Sequence, residues 1–138
     1  NTETGTGQQS NVYINTVTGA GVAGTAKTMG GSYNDKVTCV RQTIDGGFVF
    51  TGSKYKQSSM KDVWIVKLNA TLSTDWDYTY GGDKNDHGQS IAQTDDGGYV
   101  ITGSTFSYGN QSEIMLLKLN NLGVVEDIIG SLNASSGN

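Results

Sequence analysis

His87 is the only histidine of the chain and Cys39 its only cysteine, so acid–base or metal chemistry has few starting points. A catalytic triad or a zinc centre needs the imidazole beside a nucleophile or further good ligands, and the sequence around His87 names none. The run Asp83-Lys84-Asn85-Asp86-His87-Gly88 has oxygen ligands at the first and third positions of a calcium loop. Its fifth position is His87 and its twelfth is Thr94, not glutamate, so the EF-hand pattern fails. Asp35 and Asp86 recur at one repeat position and read as acceptors for turn N–H groups, with a non-EF cation site as the alternative. Asp45 and Asp96 each precede Gly-Gly and read as turn residues; neither has a nearby carboxylate with which to divide acid and base roles. No enzyme activity, no metal centre and no cofactor is therefore expected. Cys39 reads as a small buried hydrophobe, and no intramolecular disulfide can form.

Binding has more material than catalysis. Trp76, Tyr78 and Tyr80 form an aromatic stripe, alternating with Asp75, Asp77 and Thr79. Such rings can stack on the C–H faces of sugars or pack against a neighbouring layer. Tyr55 and Tyr108 lie in two loops, residues 54–61 and 105–112, that differ most between repeats. Variable loops on a repeated scaffold are where binding usually resides. Tyr55, Trp76, Tyr78 and Tyr108 are the candidate glycan-contacting residues. Asn69, Asn110 and Asn133 begin N-x-Ser/Thr sequons and are candidate glycosylation sites.

These residues hang on a repeat. Asp45-Gly46-Gly47-Phe48-Val49-Phe50-Thr51-Gly52-Ser53 returns as Asp96-Gly97-Gly98-Tyr99-Val100-Ile101-Thr102-Gly103-Ser104, 51 residues later. At that offset residues 30–69 align with 81–120 without a gap, with 16 identities in 40 positions, enough to fix one frame for the whole chain. Each period reads as four strands: a (37–43, 88–94), b (47–53, 98–104), c (11–17, 62–68, 113–119) and d (23–29, 74–80, 124–129). Asp-Gly and Gly-Gly open strand b with the positive φ that primed hairpin turns require. Val63-Trp64-Ile65-Val66 and Ile114-Met115-Leu116-Leu117 are continuously apolar, so strand c is expected to be covered on both faces. Strand d alternates and is expected at a half-exposed outer edge. The fold expected is all-β: antiparallel four-stranded blade repeats of 51 residues, about two and a half propeller-like blades, over residues 11–129. A sandwich or a β-solenoid is the alternative. Residues 1–10 and 130–138 read as polar tails.

The run from Tyr80-Gly81-Gly82 through Asp86 and Gly88 to Asp96-Gly97-Gly98-Tyr99-Val100-Ile101-Thr102-Gly103-Ser104-Thr105 resembles the bacterial β-propeller repeat called SBBP, and Trp76 after strand c resembles the kelch blade. The resemblance covers roughly residues 11–129 and implies an exported or cell-surface propeller module without assigned catalysis. Copy number departs from the family, since rings close with four to eight blades. So does the strand-d tryptophan: Thr25 and Asp127 stand where the middle copy has Trp76.

Composition points the same way. The chain has 20 glycines, no proline, 16% charged residues and a net charge of −4. That balance argues against nucleic acid as a partner. No apolar run has the length of a membrane span. The start at Asn1 suggests a processed mature protein or a fragment. The function expected is a non-catalytic extracellular or cell-surface structural protein. It would self-assemble with copies of itself into a filament, surface layer or ring through strand edges, blade contacts or its tails. A glycan-binding adhesion module is the alternative.

Overall fold

The computed structural model describes residues 11–56 and 60–131. The N-terminal tail, residues 57–59, residues 132–138 and the sequon at Asn133 lie outside the described residues.

Ten strands follow in order: β1 (Val12–Val17), β2 (Ala23–Met29), β3 (Lys36–Gln42), β4 (Phe48–Tyr55), β5 (Lys61–Leu68), β6 (Thr74–Tyr80), β7 (Asp86–Gln93), β8 (Tyr99–Thr105), β9 (Glu113–Leu119) and β10 (Val125–Ser131). All pairings are antiparallel. β1 and β2 form a hairpin, β3-β4-β5-β6 a first blade and β7-β8-β9-β10 a second. Each blade is a simple meander, the a-b-c-d order expected. Among the described residues the sheets do not close into a barrel or a propeller ring.

One turn design serves five of the seven hairpins. The N–H groups of Gly21, Gly46, Leu72, Gly97 and Gly123 each donate to the carbonyl three residues back, and all five residues have positive φ. A turn followed by one left-handed residue is the three-residue hairpin loop, which puts one positive φ after the turn instead of two inside a primed one. Leu72 is the non-glycine among them, at φ 62°. Its side chain is buried among Phe50, Trp64, Val66 and Leu68. Packing thus holds a backbone conformation that glycine takes freely.

Strand a carries a bulge against strand b in both blades, between Val37 and Cys39 and between Gly88 and Ser90. It pushes the Lys36 carbonyl onto Gly52 and the His87 carbonyl onto Gly103. A Cβ would meet those oxygens at 1.8 and 2.0 Å, so only glycine fits in Thr-Gly-Ser.

The layers stack in chain order. Phe50, Trp64, Val66 and Leu68 of the first blade face the hairpin, against Val12, Ile14 and Met29. Phe50 and Trp64 meet edge to face at 5.0 Å, and the Trp64 N–H donates to Asp77 at 2.7 Å. Val49, Val63 and Ile65 face the other way, onto Ile91, Tyr99, Ile101, Met115, Leu117 and Leu119 of the second blade. β5 is therefore buried on both faces, as expected. β9 is not: Met115, Leu117 and Leu119 are buried, but Ile114 is 65% exposed and Leu116 only half-buried. A strand's second face is covered by the next layer, and among the described residues the second blade has none.

Candidate functional site

The blades differ in what covers them, and the 51-residue frame shows where. Ile114 holds the position of Val63, Leu116 that of Ile65 and Val100 that of Val49. The three first-blade residues are 0% exposed, while their counterparts form an open apolar strip on the outer face of the second blade. At the opposite end Tyr13 and Val17 are exposed on the outer face of the hairpin. Val40, whose counterpart Ile91 is buried, is 50% exposed because the hairpin supplies only strands c and d above it. The outer edge of β1 has no strand partner among the described residues.

The junction between the two blades shows how one blade face covers another. Its apolar centre is ringed by polar links. Thr38 Oγ1 donates to Gly88 O at 2.6 Å, and the Ile44 N–H to Gln93 Oε1 at 2.9 Å. Lys61 N–H donates to Asn85 Oδ1 at 3.0 Å. Cys39 packs against this core, half-buried and free of any disulfide. Tyr80 donates to Gly123 O, and Trp76 Nε1–H to Asn121 O at 3.3 Å. Burial pushes the Tyr80 and Tyr99 hydroxyls up to about 12.

Each Asp-Gly-Gly turn is clamped by a lysine that sequence reasoning did not assign. Lys67 Nζ, 4% exposed, bonds Asp45 at 2.8 Å, Leu68 O at 3.1 Å and Asp75 at 3.3 Å. Lys118 repeats this with Asp96 at 2.9 Å, Leu119 O at 3.2 Å and Glu126 at 3.3 Å. Thr43 and Gly47 N–H also bond Asp45, as Thr94 and Gly98 N–H do Asp96. These contacts hold both carboxyls well below the usual carboxylate range: the Lys67 bond leads at Asp45, the Thr94 bond at Asp96. The turn reading of both aspartates fits this geometry. The signal was present in the lysines recurring at 67 and 118.

The four aromatic candidates do not converge. Trp76 and Tyr78 stack at 5.7 Å on β6, and Gly123 of the second blade lies against both. Tyr55 packs with Tyr33 at 5.9 Å under the Lys61 ammonium, away from them. Tyr108 is exposed in the β8–β9 connection. Trp76 does line a cleft of about 560 Å³ with Asp75, Asp95, Gln93, Asn121 and the exposed Ile44. Asn69 Oδ1 caps its own turn, accepting from Thr71 and Ser73 N–H at 3.0 Å, and Asn110 is exposed.

His87 lies on β7. Its Nδ1 lies 2.9 Å from Ser53 Oγ across the blade junction. Ser53 is nearly buried, and neither residue lines the Trp76 cleft. Burial lowers the His87 pKa, and Lys61 adds to this. Asp35 Oδ2 accepts from Gly31 N–H at 2.6 Å and Asp86 Oδ2 from Gly82 N–H at 3.0 Å, the turn role expected of both.

No family model matches this chain. No curated protein matches it either. Among the described residues no three His, Cys, Asp or Glu side chains cluster to hold a metal, and no helix is long and apolar enough to cross a membrane.

Proposed function

We propose that this is a non-catalytic, extracellular structural β-repeat protein that self-assembles head to tail, blade face on blade face. One observation carries the reading: Ile114 is open at the position where Val63 is sealed by the following blade. The internal junction is a template for the external one. An occupant of the Val100–Ile114–Leu116 strip needs a face like that of Phe50, Trp64 and Val66, and the hairpin offers its own version in Tyr13 and Val17. The two ends are unlike, so the contact is heterologous and propagates as a filament, or closes as a ring if its rotation allows. The free edge of β1 adds main-chain groups that pair with another strand. Low charge, Asn/Ser/Thr-rich composition, the sequons and the resemblance to SBBP repeats support an extracellular setting. Light scattering over a concentration series tests the proposal. The chain should form oligomers that Ile114→Asp disperses, and a wild type that stays monomeric at high concentration would sink it.

A second reading, a glycan-binding module, is favoured by the cleft in which Trp76 meets Asp75, Asp95, Gln93 and Asn121. Aromatic faces beside planar polar groups suit a sugar ring. A glycan array answers it: a signal lost in Trp76→Ala supports the reading, and a blank array ends it.

A further inference from the structure

We propose that Asp62 and Asp86 hold a hard divalent cation, of the Ca²⁺ or Mg²⁺ class, at the junction between the two blades. Asp62 is the second residue of β5 and Asp86 begins β7; the two residues are 5% and 0% exposed. They meet over Gly81. A Cβ there would lie 2.5 Å from Asp62 Oδ1 and 2.5 Å from Asp86 Oδ2, so glycine leaves open the space between the two oxygens.

The partners of the two carboxylates are unequal. Asp86 is well supplied: Oδ2 accepts from Gly82 N–H and from Ser107 Oγ at 2.7 Å, and Oδ1 from Thr105 Oγ1. Asp62 has the Lys56 ammonium 3.8 Å from Oδ2, on a lysine that is half exposed. Among the described residues its Oδ1 is buried without a hydrogen-bond partner and lies over Gly81, beside the same space that Asp86 Oδ2 approaches. An unpartnered carboxylate oxygen beside a second carboxylate is costly unless a positive charge or a proton lies between them. Burial accordingly pushes the Asp62 carboxyl up, against the pull of Lys56 and with the charge of Asp86 adding to the rise.

The first junction supplies the comparison. Asn11 stands at the repeat position of Asp62, and Asp35 at that of Asp86. A Cβ on Gly30 would lie 2.7 Å from Asn11 Oδ1 and 3.2 Å from Asp35 Oδ2. The arrangement is the same with one charge fewer, and an amide turned about can donate to Asp35, which an ionised carboxylate cannot. The pair at the second junction has no such option. Two carboxylate oxygens with hydroxyls close by suit a hard ion that keeps part of its water shell. Lys56, on the open side of Asp62, competes with that ion.

Calorimetric titration of the chelator-treated chain with calcium chloride, and separately with magnesium chloride, tests the site beside the thermal midpoint in each salt. One equivalent should bind and raise the midpoint. Asp62→Asn should fold, given Asn11 in the same setting, and should weaken binding by about tenfold or more, the scale of even a change in a ligand's surroundings. Lys56→Gln, an exposed change that tests the site independently of folding, should tighten it. No heat and no midpoint shift with either salt would overturn the proposal. So would affinities unchanged in both variants. A chain that ignores both metals but gains stability on acidification would assign the pair a shared proton instead.

Discussion

Val63 and Ile114 occupy one position of the same repeat, and one is sealed while the other is 65% exposed. The residues are chemically near-equivalent; the difference is the layer above them. Truncation should separate them. Ile65→Ala, at the sealed junction, should cost about 2–5 kcal/mol in equilibrium denaturation. Ile114→Ala should cost under about 1 kcal/mol in the dilute, unassembled chain, as surface changes do. Equal costs would mean that the outer face is already covered.

Leu72 sets two effects against each other. Left-handed backbone costs a non-glycine residue about 1–2 kcal/mol, which Leu72→Gly would recover. Losing a buried leucine costs about 2–5 kcal/mol. Burial is the larger effect, so Leu72→Gly should destabilise, by up to about 4 kcal/mol across those two ranges. Urea midpoints decide the matter; a stabilised variant would show that the side chain contributes little.

The lysine clamps make an acid-sensitivity prediction. Asp45 and Asp96 have depressed pKa values in the fold, so their stabilisation is complete above the unfolded value near 3.9 and drains away as pH falls below it. The double variant Asp45→Asn, Asp96→Asn should lose this acid limb while losing stability at neutral pH. Lys67→Met should cost about 1.5–3 kcal/mol, as for hydrogen bonds to charged groups. Lys118→Met should cost less, because Lys118 is more exposed. Midpoints that fall with pH as steeply in the double variant as in the wild type would refute the clamp.

His87 acts in a higher window. Its folded pKa lies below the unfolded value near 6.5, so the neutral ring is favoured by the fold. Burial and the neighbouring Lys61 and Lys36 lower it, and Asp86 opposes them. That stabilisation is complete above about pH 6.5 and is lost as pH falls through the folded value. Thermal midpoints should therefore drop between about pH 7 and pH 5, and His87→Gln should flatten that drop. Any substrate turnover abolished by the same substitution would give the Ser53–His87 contact a catalytic meaning instead.

Much of the architecture was legible because it is local. Asp-Gly-Gly marks hairpin entry, the 51-residue offset phases all ten strands, and Gly46 and Gly97 have the positive φ that the motif implies. What depends on the neighbouring layer was not. Ile114-Met115-Leu116-Leu117 reads as apolar as Val63-Trp64-Ile65-Val66, yet among the described residues only the latter run has layers on both sides. The contact between Ser53 and His87 joins two blades and leaves no spacing signature. The clamps could have been found, since Lys67 and Lys118 recur in step with Asp45 and Asp96 and with an acid at 75 and 126. The left-handed Leu72 is visible once residues 21, 72 and 123 are aligned as Gly, Leu and Gly.

The meander within each blade has a mechanical consequence. Among the described residues every strand pairs only with its chain neighbours, so no hydrogen-bonded ladder joins one blade to the next. Pulled from its ends, such a chain yields one blade at a time, because apolar packing and hydrogen bonds made through side chains, with no main-chain ladder, couple the layers. Each released 51-residue period pays out about 170 Å of extended chain before the next blade takes the load. A material built from these repeats would absorb a sudden pull in steps and stretch before breaking.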